Sequence, residues 1–107
     1  VSEPAGEPRV AVVGTFRARR GVTLHVAAAM AAMVKASREE DGCEAYSYAI
    51  DAFEPTIVRV FEIWRDAAAL KRHRETNHLK AWRAKWNDLG LGDAVLTSHD
   101  LGAERPL

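Results

Sequence analysis

Apolar side chains recur along the chain with two different periods, and the switches between them mark six elements. Arg9 to Phe16 (RVAVVGTF) is rich in valine and predicts a strand. A polar connection, RARRG, follows and ends in Gly21. From Val22 to Glu40, positions Val22, Val26, Met30, Met33 and Ser37 fall at helical spacing, and Ala29 and Val34 widen the stripe. Alanines fill much of the remainder, and alanine is the best helix former. Asp41-Gly42 ends the segment, because glycine accepts the left-handed conformation that suits a helix C-terminus. Cys43 to Ile50 (CEAYSYAI) predicts a second strand, and Ile57 to Trp64 (IVRVFEIW) a third, with a turn at DAFEP between them. Asp66 is a good N-cap for a helix starting at Ala67. Ala69, Leu70, His73 and Asn77 share one face of it, with a bend expected near Thr76-Asn77. Leu79, Trp82, Trp86 and Leu89 continue a helical stripe that Gly90 and Gly92 close, and Asp93 to Leu101 (DAVLTSHDL) predicts the last strand.

The order βαββαβ predicts a ferredoxin-like α+β sandwich, an antiparallel four-stranded sheet with two helices on one face. The third strand has two mostly apolar faces: Val58, Val60, Glu62 and Trp64 on one, Ile57, Arg59, Phe61 and Ile63 on the other. Two helices cover only one face of such a sheet. The economical cover for the other is the sheet of an identical subunit, so a homodimer with sheets packed face to face is expected. Residues 1–8 and 102–107 read as tails around a single domain at 9–101.

Composition narrows the function classes. The 107 residues carry fifteen basic and fifteen acidic side chains, so the net charge is zero, without the basic excess of a phosphate-tracking nucleic-acid binder. No apolar run approaches the ~20 residues a membrane span needs. The opening VSEPAGEP lacks the basic and apolar regions of a signal peptide. One cysteine, Cys43, excludes a disulfide within the chain and any cysteine-based zinc site. A reducing, cytoplasmic setting is the expectation.

Several segments together resemble the antibiotic biosynthesis monooxygenase (ABM) domain, a family of small dimeric α+β barrel proteins that includes quinol monooxygenases. They are Arg19-Arg20-Gly21, the run Ser37 to Tyr46 (SREEDGCEAY), Phe61-Glu62-Ile63-Trp64, Ala69 to His73 (ALKRH) and Thr76-Asn77-His78, and the resemblance covers residues 9 to 101. It implies a dimeric α+β barrel and a monooxygenase that uses no flavin, haem or metal, in which O2 attacks a phenolic or quinol substrate after a proton is removed. Such a site needs an aromatic-lined pocket, a proton acceptor and donors for the developing oxyanion. Haem-degrading proteins of the same fold resemble the chain in topology, but they use an Asn on strand one and a Trp and a His on helix two. Gly14, His73 and Arg83 stand at about those places, so haem is not expected. A dimeric ligand-binding or stress-associated module without catalysis is the rival reading.

The candidate residues each carry a functional and a structural reading. Trp64 is a pocket wall or a large core residue. His73 on the inward stripe is a proton acceptor or oxyanion donor, or a core histidine bonded to backbone. Glu62 interrupts an apolar face, and is either a pocket carboxyl with a raised pKa or half of an ion pair with an arginine near the dimer seam. Tyr46 and Tyr48 share a face and either line the pocket or pack with hydroxyls reaching water; Trp82 is core or closes the pocket from above. His78 follows His73 by five residues, about 500° of rotation in a continuous helix, so a two-histidine metal site is not expected and His78 reads as a solvent-facing or junction residue. His25 and His99 read as structural or exposed. The basic run Lys71, Arg72, Arg74, Lys80, Arg83 and Lys85 reads as a solvated helix face, with attraction of an anionic substrate as its milder functional role.

Overall fold

A computed structural model describes residues 6–107. Most of the expected N-terminal tail lies outside them; residues 6–8 are exposed without regular structure, as are residues 102–107. The elements are β1 (Val10–Ala18), α1 (Leu24–Arg38), β2 (Cys43–Ile50), β3 (Ile57–Trp64), α2 (Ala67–Arg74), α3 (Asn77–Ala84), α4 (Trp86–Leu89) and β4 (Leu91–Asp100). The strands form one antiparallel sheet in the order β2-β3-β1-β4, the ferredoxin-like arrangement.

Local chemistry explains the boundaries. The Thr23 hydroxyl accepts from the Val26 N–H at 3.2 Å and starts α1 two residues later than expected. Lys35 and Arg38 in its last turn complement the helix dipole. The buried face of α1 is Val26, Met30, Met33 and Ser37, as the spacing predicts. Asp66 caps α2 through the Ala69 N–H at 2.8 Å. The second helical segment is broken twice. At the expected bend, Thr76 Oγ1 donates to the His73 carbonyl (2.7 Å) and accepts from the Leu79 N–H (3.3 Å), so one hydroxyl ends α2 and starts α3. The second break is at Lys85, and Gly90 in the left-handed region (φ 72°) ends α4. The last strand starts at Leu91, earlier than expected. Gly92 therefore belongs to the strand, paired with Arg17, and does not close the helix. The first strand likewise runs on to Ala18.

The core lies between the sheet and the helices. Val12, Phe16, Val58, Val60 and Trp64 project from the sheet against Val26, Met30 and Met33 of α1, Ala69 of α2 and Trp82 of α3. On the opposite sheet face no helix packs among the described residues, and Val13, Phe61 and Val95 there are 37%, 45% and 68% exposed.

Gly14 sits on the helix-facing side, between Val60 and Leu96 across the two ladders. Its φ is 154°, and a Cβ there would lie 1.9 Å from the Val95 carbonyl oxygen. Backbone cannot yield as a side-chain tip can. Gly14→Ala is expected to destabilise the domain by about 3 kcal/mol or more. Chemical denaturation checks it; a loss under about 1 kcal/mol would mean β4 shifts freely past β1.

Candidate active site

The site grows from the helix-facing residues of β2 and β3. Alternation puts Tyr46 and Tyr48 on the same side as Glu62 and Val60, to which they pair directly. The two tyrosine hydroxyls bond each other at 2.9 Å, so they do not simply reach water as one reading expects. The Tyr48 ring stacks on Trp82 of α3 (centroids 5.9 Å apart, 21° between planes) and meets Phe16 edge-on at 5.2 Å. Phe16, Tyr46, Tyr48, Trp82 and Trp86 wall a cavity of about 400 Å³, with Glu62 and His73 as its buried polar groups. That volume suits a small aromatic molecule. Arg74 and Arg83 stand at its rim, and Leu96 and Ser98 of β4 supply the far side.

Trp64 lies elsewhere. It is fully buried behind the cavity, between the Tyr46 and His73 rings (6.3 and 4.6 Å), and is not part of the lining. Its indole N–H donates to Glu62 Oε1 at 2.9 Å. Glu62 therefore bonds an indole and makes no ion pair with an arginine among the described residues. Burial pushes its carboxyl from an ordinary 4.5 up to about 7, against the Trp64 hydrogen bond, which favours the charged form. Burial also raises both phenols, Tyr48 to about 12, so each hydroxyl keeps its proton.

His73 is held by a residue that sequence reasoning did not single out. Glu40, just past the end of α1, places Oε2 at 2.6 Å from His73 Nδ1 and 2.8 Å from His78 Nε2. The two histidines thus meet on one carboxylate. The rotation argument against this assumed a continuous helix, and the Thr76 break removes that assumption. The available signal was the expected bend itself, together with an acidic run closing α1. Burial lowers the His73 pKa, with Glu40 opposing the shift, so the ring is neutral near pH 7. A neutral ring donating Nδ1–H to Glu40 presents Nε2 as an acceptor. His25 and His99 are exposed and remote from this group. The basic residues of α2 and α3 other than the rim arginines are solvated. Cys43 is partly buried on β2, and burial pushes its thiol up to about 11, so it keeps its proton near neutral pH.

The architecture is thus a ferredoxin-like sheet with a buried carboxyl and a carboxylate-held histidine beside an aromatic-lined cavity. Residues 9–85 match the family described as antibiotic biosynthesis monooxygenase, and the chain belongs to that family. It is 34% identical over 80 residues to the Mycobacterium tuberculosis protein named "Putative monooxygenase Rv0793", covering 75% of this chain and 78% of that one. The Rv0793 structure superposes with a TM-score of 0.78, covering 92% and 99% of the two chains. An uncharacterized Synechocystis protein, sll1783, is 30% identical over 80 residues, 75% of this chain, and the match spans about half (54%) of its length. A candidate antibiotic biosynthesis monooxygenase from Deinococcus radiodurans shares the fold at TM-score 0.84 and 22% identity, over 92% and 97% of the chains. No helix among the described residues is long and apolar enough to cross a membrane.

The Glu62 carboxyl has a consequence for stability. The folded chain keeps its proton up to about pH 7, whereas the unfolded chain releases it near 4.5. The contribution is full below 4.5 and is lost as pH rises through 7, by about 3 kcal/mol. Glu62→Gln cannot ionise. Its stability relative to wild type is expected to rise by about that amount between pH 4.5 and 8.5 in urea denaturation. An unchanged difference would show that burial does not hold the proton.

Proposed function

We propose that the chain is a monooxygenase that needs no flavin, haem or metal and oxidises a phenolic or quinol ring with O2. The observation that carries this is His73, held by Glu40, facing a cavity walled by five aromatic rings. A flat ring packs in the cavity against the wall that Tyr48, Trp82 and Phe16 form together. His73 Nε2 accepts its phenolic proton, and Glu40 stabilises the imidazolium that results. The electron-rich anion then gives its electrons to O2. For a hydroxyanthrone, O2 adds at the methylene carbon and loss of water leaves a ketone, so CH2 and O2 become C=O and H2O. Glu62, protonated below about pH 7, donates to the developing oxyanion. Arg74 and Arg83 at the rim favour an anionic substrate.

The uncovered sheet face supports a homodimer. Val13, Phe61 and Val95 with Ile63 make an apolar surface that a second copy's sheet would bury. The lone free Cys43 fits a reducing cytoplasm. On this reading the functional domain is residues 9–101.

Oxygen uptake by metal-stripped protein against reduced quinols and hydroxyanthrones tests the chemistry, with heat-killed protein as background. Uptake well above background is expected. His73→Ala, folded by circular dichroism, should lower kcat by about 10²- to 10⁴-fold. Unchanged turnover in that variant would remove the base. Ligand binding with no oxygen consumption would favour the non-catalytic module.

Sedimentation at micromolar concentration tests the assembly. Wild type should run as a dimer and Phe61→Asp as a monomer. A monomeric wild type would overturn the face-to-face pairing.

A further inference from the structure

Glu40, His73 and His78 come from three separate places: the turn after α1, the last turn of α2 and the first turn of α3. Their ligating atoms lie within 4.8 Å of one another. Orienting His73 requires one acceptor, and Glu40 Oε2 supplies it at 2.6 Å. The second imidazole on the same oxygen, His78 Nε2 at 2.8 Å, is surplus to that task. Two imidazoles and a carboxylate are a donor set that divalent transition ions favour.

We infer that Glu40, His73 and His78 form a binding site for a divalent transition ion of the zinc class, with its remaining coordination position open to solvent. In a tetrahedral site with bonds near 2.0–2.1 Å the ligating atoms stand ~3.3 Å apart. The contacts now at 2.6 and 2.8 Å open by roughly half an ångström to admit the ion. The His78 side chain is 31% exposed, which gives both an entry path and room to adjust. His73, only 4% exposed and packed between Trp64 and Tyr46, is the fixed end.

The site also bears on activity, a consequence that rests on the role of His73 proposed above. A neutral imidazole carries one ring proton. An ion on Nδ1 moves that proton to Nε2, where the metal-free protein has its acceptor. The loaded protein then presents a donor to the cavity, and proton removal from the substrate stops. The ion is an inhibitor of the oxidation and takes no part in it.

Calorimetric titration of the metal-stripped full chain with Zn2+, and of the same protein with Co2+ read by visible absorption, tests the site without any substrate. One ion per chain is expected. Glu40→Gln and His78→Ala should each weaken binding by at least about tenfold, and His25→Ala and His99→Ala should leave it unchanged. Wild-type binding no tighter than that of both Glu40→Gln and His78→Ala overturns the site. Oxygen uptake on the same samples tests the consequence. Turnover should fall in proportion to zinc occupancy, and a zinc-loaded protein that turns over at the metal-free rate overturns the inhibition. If no substrate is oxidised even without metal, the functional reading fails, and calorimetry alone still decides the ion site.

Discussion

The Glu40 carboxylate ties the two halves of the chain together. It sits at the end of the first helix and is mostly buried, and its Oε2 meets one histidine from α2 and another from α3. A carboxylate out of water must be hydrogen-bonded, and these imidazoles are its side-chain partners. They can both reach it only because Thr76 breaks the helix between them, satisfying a carbonyl of α2 and an N–H of α3 with one hydroxyl. The break therefore fixes where α3 crosses the sheet. That crossing sets Trp82 over Tyr48 and defines the roof of the cavity. Removing Glu40's partners would leave a buried charge, a larger loss than the net worth of either hydrogen bond.

A second polar thread runs through the apolar sheet face. Tyr46 pairs with Glu62 across the ladder, bonds Tyr48 through its hydroxyl, and packs edge-on against Trp64 and His73. Trp64 closes the thread by donating to Glu62. Trp64 thus positions a carboxyl and supports the histidine ring without touching the cavity. Glu62 costs the fold something at neutral pH, because burial and, less strongly, the Glu40 charge oppose its ionisation. Local rules that a structural core obeys are broken here, as they often are at a binding or reacting site.

Strands β2 and β3 and the Asp66 cap were legible because each has a local cause: alternation, β-branched residues, a side chain that reaches its own helix. The first edge of β4 was not. Gly92 looks like helix punctuation in sequence, and only pairing with Arg17 across the sheet makes it strand. The site was legible in part for the same reason. Alternation sets Tyr46 and Tyr48 on one face of their strand, while only the β2–β3 register brings Glu62 to the same side, and the helical stripes bring His73 and Trp82 over it. The depth of Trp64 depends on how closely α2 approaches β3, which no spacing encodes. Glu40 was hidden because its partners lie 33 and 38 residues away, across a helix break whose angle is a tertiary property.

The two faces of the sheet divide the work of this chain. The helix-facing side holds the buried Tyr46, Glu62 and His73 side chains and the cavity that they line. The other side exposes Phe61 and Val13 on the two inner strands and Val95 on the edge strand β4, with Thr15 and the charged Arg59 on the same row as Val95. Period-two alternation means that no residue of a strand serves both sides. Substitutions on one face can therefore tune chemistry while the other keeps its surface, and the β-ladders couple the two only through backbone. Gly14 is the exception, since a side chain added there meets the neighbouring backbone itself. Leu96, which pairs with Gly14 across that close approach, also lines the cavity, so the one position where backbone meets backbone lies beside the site.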